Sequence, residues 1–130
     1  MPVPIVRLVV DVPVTGGVAR AAKGELTLFA SGPAAEVAAA RRLPNCRVET
    51  GALVERLEFE GRRAVGVRWR RGGESHAARA AKEIILCAGA INTPQLLQLS
   101  GIGPGALLQK HGIAVTLDLP GVGENLQDHW

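Results

Sequence analysis

A mixed α/β fold of the α+β kind is predicted for this 130-residue chain on three observations. Residues 53–80 alternate apolar and polar side chains with two turn breaks, residues 84–88 form an unbroken apolar run, and two short helical stretches follow, each bounded by proline and glycine. The first pattern is that of an antiparallel meander, the second that of a strand buried on both faces. The expected order is therefore a meander feeding a buried strand, then two short helices and a last strand.

Residues 1–44 carry the weakest pattern. Valines and prolines run to Val14, Gly16-Gly17 breaks them, a short apolar run spans 26–29, and residues 34–42 have strong helix propensity between Ser31-Gly32-Pro33 and Pro44. One short helix is expected there. Arg7 and Asp11 interrupt the N-terminal apolar run and no charged stretch precedes it, which argues against a signal peptide or a membrane span. A soluble, cytoplasmic protein is expected.

From Asn45 the chain reads as strands. Residues 47–50 lead through Gly51 into a strand at 53–60, with Leu53, Leu57 and Phe59 on one face at period two. Turns at 60–63 and 71–74 enclose a second strand, in which Val65, Val67 and Trp69 alternate with Ala64, Gly66 and Arg68. A third short strand is expected at 76–80. The buried strand at 84–88 ends in Ala88, Gly89 and Ala90, small residues that let a ligand approach the backbone. Such a strand needs parallel neighbours, which this chain is not expected to contain in full.

Thr93 and Pro94 are expected to open the first helix as N-cap and first-turn residues, with Leu96 and Leu97 as its apolar stripe and Gly101 as its stop. Pro104 opens the second, which closes with Lys110, His111 and Gly112, the cations complementing the carbonyl end of the helix dipole. Ile113, Val115 and Leu117 alternate as the final strand, before a glycine-rich loop at 119–130.

Composition excludes several classes. Fifteen Lys and Arg against twelve acids give a net charge of +3 and a pI of about 9.4, but no basic block is interleaved with aromatics, so nucleic acid is only weakly suggested. Cys46 and Cys87 have no metal-site spacing and are expected as reduced thiols. No Gly-x-Ser-x-Gly elbow and no metal-ligand cluster occur, so hydrolase and metalloenzyme chemistry lack support. The G-x-G-x-x-G dinucleotide unit between strand and helix is also missing.

Gly89, Ala90, Thr93, Pro94, Leu96, Leu97, Ser100, Gly101, Ile102 and Gly103 together resemble the second signature of the glucose-methanol-choline (GMC) oxidoreductases, choline dehydrogenases among them. Residues 48–56 and the Gly-Val-Gly-x-Asn-Leu-x-Asp-His run at 121–129 are also similar to that family, so the likeness extends from about residue 44 to 130. It implies part of a FAD-binding domain at 45–130, preceded by a poorly matched segment at 1–44. The abrupt onset of the likeness points to divergence, a misplaced start or a change of frame in that first segment.

The resemblance implies FAD as cofactor and an alcohol CH–OH as the oxidised group, with a small alcohol as substrate of the longer relatives. It makes Val54 the residue that holds the adenine through its main chain, and Ala88, Gly89 and Ala90 one wall of the FAD site. A backbone contact suits an apolar position, because amide and carbonyl read the adenine edge without a buried polar side chain. No catalytic residue is implied: the glycine fingerprint lies upstream in the family and the catalytic histidine downstream. His76 falls in the meander and His111 at a helix end; His129 beside Asp128 is expected to order its loop rather than act as a base. The chain alone is expected to be inert, with the missing segments of the domain needed for a whole site; the sequence leaves open both that the chain folds by itself and that it folds only with those segments. Residues 99–108 also resemble a helix-hairpin-helix, whose Gly-aliphatic-Gly turn donates amides to a DNA phosphate.

Overall fold

The computed structural model describes residues 5–10, 26–29, 38, 41–42 and 46–127. Most of the helix expected at 34–42, and Asp128 and His129, lie outside the described residues.

Among the described residues these elements follow in order: β1 (Ile5–Val10), β2 (Leu26–Phe29), β3 (Cys46–Glu49), β4 (Leu53–Glu60), β5 (Arg63–Arg71), β6 (Glu74–Leu86), α1 (Gly89–Leu99), β7 (Ile102–Gly103), α2 (Gly105–Lys110) and β8 (Leu117–Asp118). The first six strands make one sheet in the order β3-β2-β1-β6-β5-β4. Pairing is parallel from β3 through β2 and β1 to β6, and antiparallel from β6 through β5 to β4.

The third meander strand and the buried strand prove to be one element. β6 runs unbroken for 13 residues, its first half pairing β5 and its second half β1. No turn residue separates Ala80 from Ile84, so the strand continues, with only a register shift against β1 between the Ile5–Ala80 and Arg7–Glu83 pairs. The expected shortage of parallel neighbours is corrected as well: β1 supplies one, with Leu8, Val9 and Val10 opposite Ile84, Ile85 and Leu86. Those three residues of β6 are half-buried rather than sealed on both faces.

Register shows that this sheet cannot be flat. Glu49 is level with Leu86, through Phe29 and Val10, whereas Leu53 is level with Ser75, through Arg70. Along a straight β6 those levels would lie about 36 Å apart, yet the step from Glu49 to Leu53 can span at most about 14 Å. β6 must bend, and the antiparallel half folds back toward the carboxyl ends of the parallel strands.

The two hairpin turns match expectation. Gly72 and Gly73 have φ of +58° and +89°, the two left-handed positions that a tight type I′ turn requires. A bulge at Glu55 changes the face that β4 buries: Val54 pairs with Trp69 and Leu57 with Val67, so Val54 joins the core and Leu53 is left 67% exposed. Leu57, Val67, Trp69 and, from α1, Leu96 form that core, with Ala52, Val54, Phe59, Ile84, Leu86 and Leu97 packed around it.

Helix α1 begins at Gly89, four residues before the expected Thr93, because the positive φ of Gly89 (+85°) turns the chain directly out of β6. Pro94 consequently falls inside the helix, and Thr93 caps nothing. Gly101 follows the C-cap Ser100 in the left-handed conformation, as expected of a stop. Helix α2 has the expected bounds, with Pro104 as N-cap and His111 as C-cap. The final strand is shorter than its alternation suggests. Only Leu117 and Asp118 pair, in parallel with Ile102 and Gly103, because the Ile113 amide closes onto the Leu108 carbonyl and the Thr116 amide is held by the Gly101 carbonyl.

Candidate functional site

Open α/β sheets bind ligands beyond the carboxyl ends of their parallel strands. In this chain that edge carries the end of β3, with Glu49 and the link at 50–52 into β4, and the end of β6, with Cys87, Ala88 and Gly89 leading into α1. The four predicted site residues divide between these two stretches.

Ala88 is the N-cap of α1 at φ −77° and ψ 7°, with no side-chain hydrogen bond across the helix start. Gly89 and Ala90 form the exposed first turn, and nothing lies within 4 Å of where a Cβ on Gly89 would stand. No acidic side chain occupies that turn. The turn is thus an open wall of backbone and methyl groups, which fits the close approach of a flat or phosphorylated cofactor. Val54 is half-buried on β4 and packs against the same core as Leu86 at the end of β6. The two stretches therefore border one core, and bulging at Glu55 turns the Val54 side chain inward, leaving main-chain groups as what this position can offer.

Other residues hold these walls, and sequence patterns alone did not single them out for it. Glu49 is buried to 6% exposure between two guanidinium groups, Oε1 lying 2.5 Å from Arg47 Nε and Oε2 2.6 Å from Arg71 Nη1. Ser100, also buried, donates its hydroxyl to the Leu96 carbonyl (2.6 Å) and accepts the Leu57 amide of the edge strand β4 (2.8 Å). Gln98 Nε2 donates to the Val122 carbonyl at 3.0 Å. A Cβ at Gly123 would stand 2.8 Å from that same Nε2, so glycine there gives the Gln98 amide room to pin the 121–125 loop. Local pattern does not reveal these roles, because the partner that ties each residue to another element lies 43 residues away for Ser100 and 22 for Glu49.

The two described histidines lie outside these stretches. His76 stacks on Trp69 across β5 and β6 with ring centroids 5.5 Å apart, and His111 is an exposed helix cap. Burial pushes the Cys46 thiol up from its ordinary value. Among the described residues no three His, Cys, Asp or Glu side chains converge as a metal site. A groove of about 560 Å³ between β4 and the 112–116 segment is lined by Arg56, Phe59, Leu99, Ile113 and Thr116, and none of the four predicted residues borders it.

The family profile described as GMC oxidoreductase matches residues 31–130. The chain belongs to the GMC oxidoreductase family. A profile of the NAD binding domain of 6-phosphogluconate dehydrogenase also matches residues 6–45, a stretch that contains most of β1 and all of β2. An oxygen-dependent choline dehydrogenase of Burkholderia vietnamiensis is 53% identical over 90 residues, 69% of this GMC chain and 16% of the relative. One from Burkholderia cenocepacia is 56% identical over 86 residues, covering 66% of this chain and 15% of the relative. This chain thus spans about 16% of the length of curated relatives that it matches. Among solved structures, a formate oxidase aligns with a TM-score of 0.68 at 36% identity, covering 70% of this chain and 16% of its own. A FAD-dependent oxidoreductase from Chaetomium thermophilum aligns with a TM-score of 0.64 at 44% identity, covering 69% and 17%.

Proposed function

We propose that the chain forms part of the FAD-binding domain of a flavoenzyme that oxidises CH–OH groups of choline-type alcohols. What supports this reading most is the open small-residue turn at 88–90 that follows β6, together with Val54, which packs on the same core as Leu86 at the end of β6. Relatives named as choline dehydrogenases, more than 50% identical over this stretch, favour that substrate class. When bound, FAD would supply the hydride acceptor. The residues of this chain would hold it: the Val54 main chain would read the adenine edge, and Ala88, Gly89 and Ala90 would admit the cofactor because no long side chain stands there. No residue described in this chain is assigned proton transfer, so alcohol oxidation requires groups supplied by the longer polypeptide typical of the family.

Cytoplasmic residence and independence of nucleic acid belong to the same proposal. No helix among the described residues is long and apolar enough to cross a membrane. The hairpin at 99–108 is poorly suited to a DNA phosphate, since the Gly101 amide is spent on the Gln98 carbonyl and Ile102-Gly103 is paired as a strand. Titrating the purified chain with FAD, followed by quenching of flavin fluorescence, tests the proposal. Saturable binding is expected; none at cofactor concentrations in the millimolar range would refute it.

A further inference from the structure

Glu49 is a buried carboxylate that the proposed flavin site does not itself use. Its side chain is 7% exposed, while those of its partners Arg47 and Arg71 are 70% and 48% exposed. The carboxylate has left water and the guanidiniums reach in to meet it. Taking a carboxylate out of water is costly unless each oxygen is matched, and a buried pair of this kind is poor evidence for stability, since an apolar side chain often serves as well. What an ion pair adds is a fixed geometry between the two elements that it joins.

The partners differ in reach. Arg47 is two residues away on the same strand, so its bond is local; Arg71 comes from the far end of β5, beside the Gly72-Gly73 turn. The other described ion pairs stay within the meander: Arg68 with Glu58 and Arg70 with Glu55 join β5 to β4, and Arg79 with Glu60 reaches across β5 from β6 to the end of β4. Among the described ion pairs, Glu49–Arg71 alone joins the parallel half to the antiparallel half. It does so where the sheet folds back, one residue before the link at 50–52. That link is further tied by Arg41, whose Nη2 donates to Thr50 Oγ1 at 3.0 Å, and it ends at Val54, packed on the core.

We propose that Glu49 is a positioning residue: by latching Arg71 of the β5–β6 hairpin to the end of β3, it fixes the 50–54 segment in the one path from which the Val54 main chain reads adenine. The proposal rests on the assignment of FAD to this chain. Adenine recognition through main-chain groups depends on where the backbone lies, because amide and carbonyl cannot swing to meet a displaced ligand as a side chain can. A loosened link would cost the adenine contact and leave the 88–90 wall in place.

The test compares the full chain with Glu49→Gln and Arg71→Gln by amide hydrogen exchange and by titration with FAD and with FMN, which lacks adenine. Exchange at 50–54 is expected to quicken at least tenfold in both variants, with the cores of α1 and α2 unchanged. FAD affinity is expected to fall at least tenfold while FMN affinity holds. Uniform quickening across the chain, no quickening at 50–54, or equal losses for FAD and FMN would overturn the proposal, since a merely structural carboxylate would give one of these. If the unaltered chain binds neither flavin, the FAD assignment and the adenine role fall together, and exchange alone decides the latch. Should E49Q not fold, R71Q carries the same comparison, because Glu49 then keeps Arg47.

Discussion

Ser100 shows how much one small polar side chain can hold. Its hydroxyl takes the outward amide of Leu57 on the edge strand and returns a proton to the carbonyl of Leu96, so one side chain fastens the end of α1 to an otherwise open sheet edge. Ser100→Ala leaves that buried amide without its partner. A loss of about 1–3 kcal/mol in unfolding free energy is expected, measured by urea titration. Cys46 reports on the same principle from another side: burial disfavours its thiolate, which is the form that reacts. Alkylation of Cys46 by iodoacetamide at pH 8 is expected to be slower than that of a free thiol and to reach the free rate in urea, as followed by mass spectrometry of the labelled peptide.

The meander β4–β5–β6 carries, between the end of β4 and β6, an ion pair whose pH behaviour has a definite sign. Arg79 hydrogen-bonds Glu60 and, with its charge, holds that carboxyl below the usual range. A depressed folded value contributes stability above the ordinary carboxylate range, and that contribution is lost as pH falls through the folded value. Both groups are fully exposed, so salt should erase most of it. Carbon-detected NMR titration should find Glu60 low in the unaltered chain and returned upward by Arg79→Gln or by concentrated salt. Elements such as this meander are legible because their signals are local: Gly72-Gly73 fixes the β5–β6 turn, Pro104 and Gly112 bound a helix, and alternation marks β4 and β5. Errors arose where a distant partner decided. The bulge at Glu55 moved Val54 rather than Leu53 into the core, Gly89 started α1 before Thr93, and the Gly101 carbonyl kept residues 113–116 out of a ladder. The site followed the same rule: Gly89 and Ala90 stand in an open turn as their size suggests, whereas the Glu49 latch has no local mark.

At the scale of the whole molecule, β6 serves both halves of the sheet, and the fold-back that follows brings the end of β3 and the tip of the β5–β6 hairpin together. No periodicity in the sequence encodes that return; it emerges from register, where two strands at opposite ends of one sheet are joined by three residues. The edge proposed to hold FAD carries no described histidine. His76 is stacked on Trp69 in the meander and His111 caps α2, so each is already placed by another element. Hydride transfer from an alcohol needs its hydroxyl proton removed in step, and no described residue of this chain is assigned that role. The purified chain supplied with FAD and choline under anaerobic conditions is therefore expected to show no bleaching of the flavin absorbance. Bleaching would mean that a base does lie within these 130 residues. Asp128-His129 would be the pair to test, and abolition of the signal by His129→Ala would assign it.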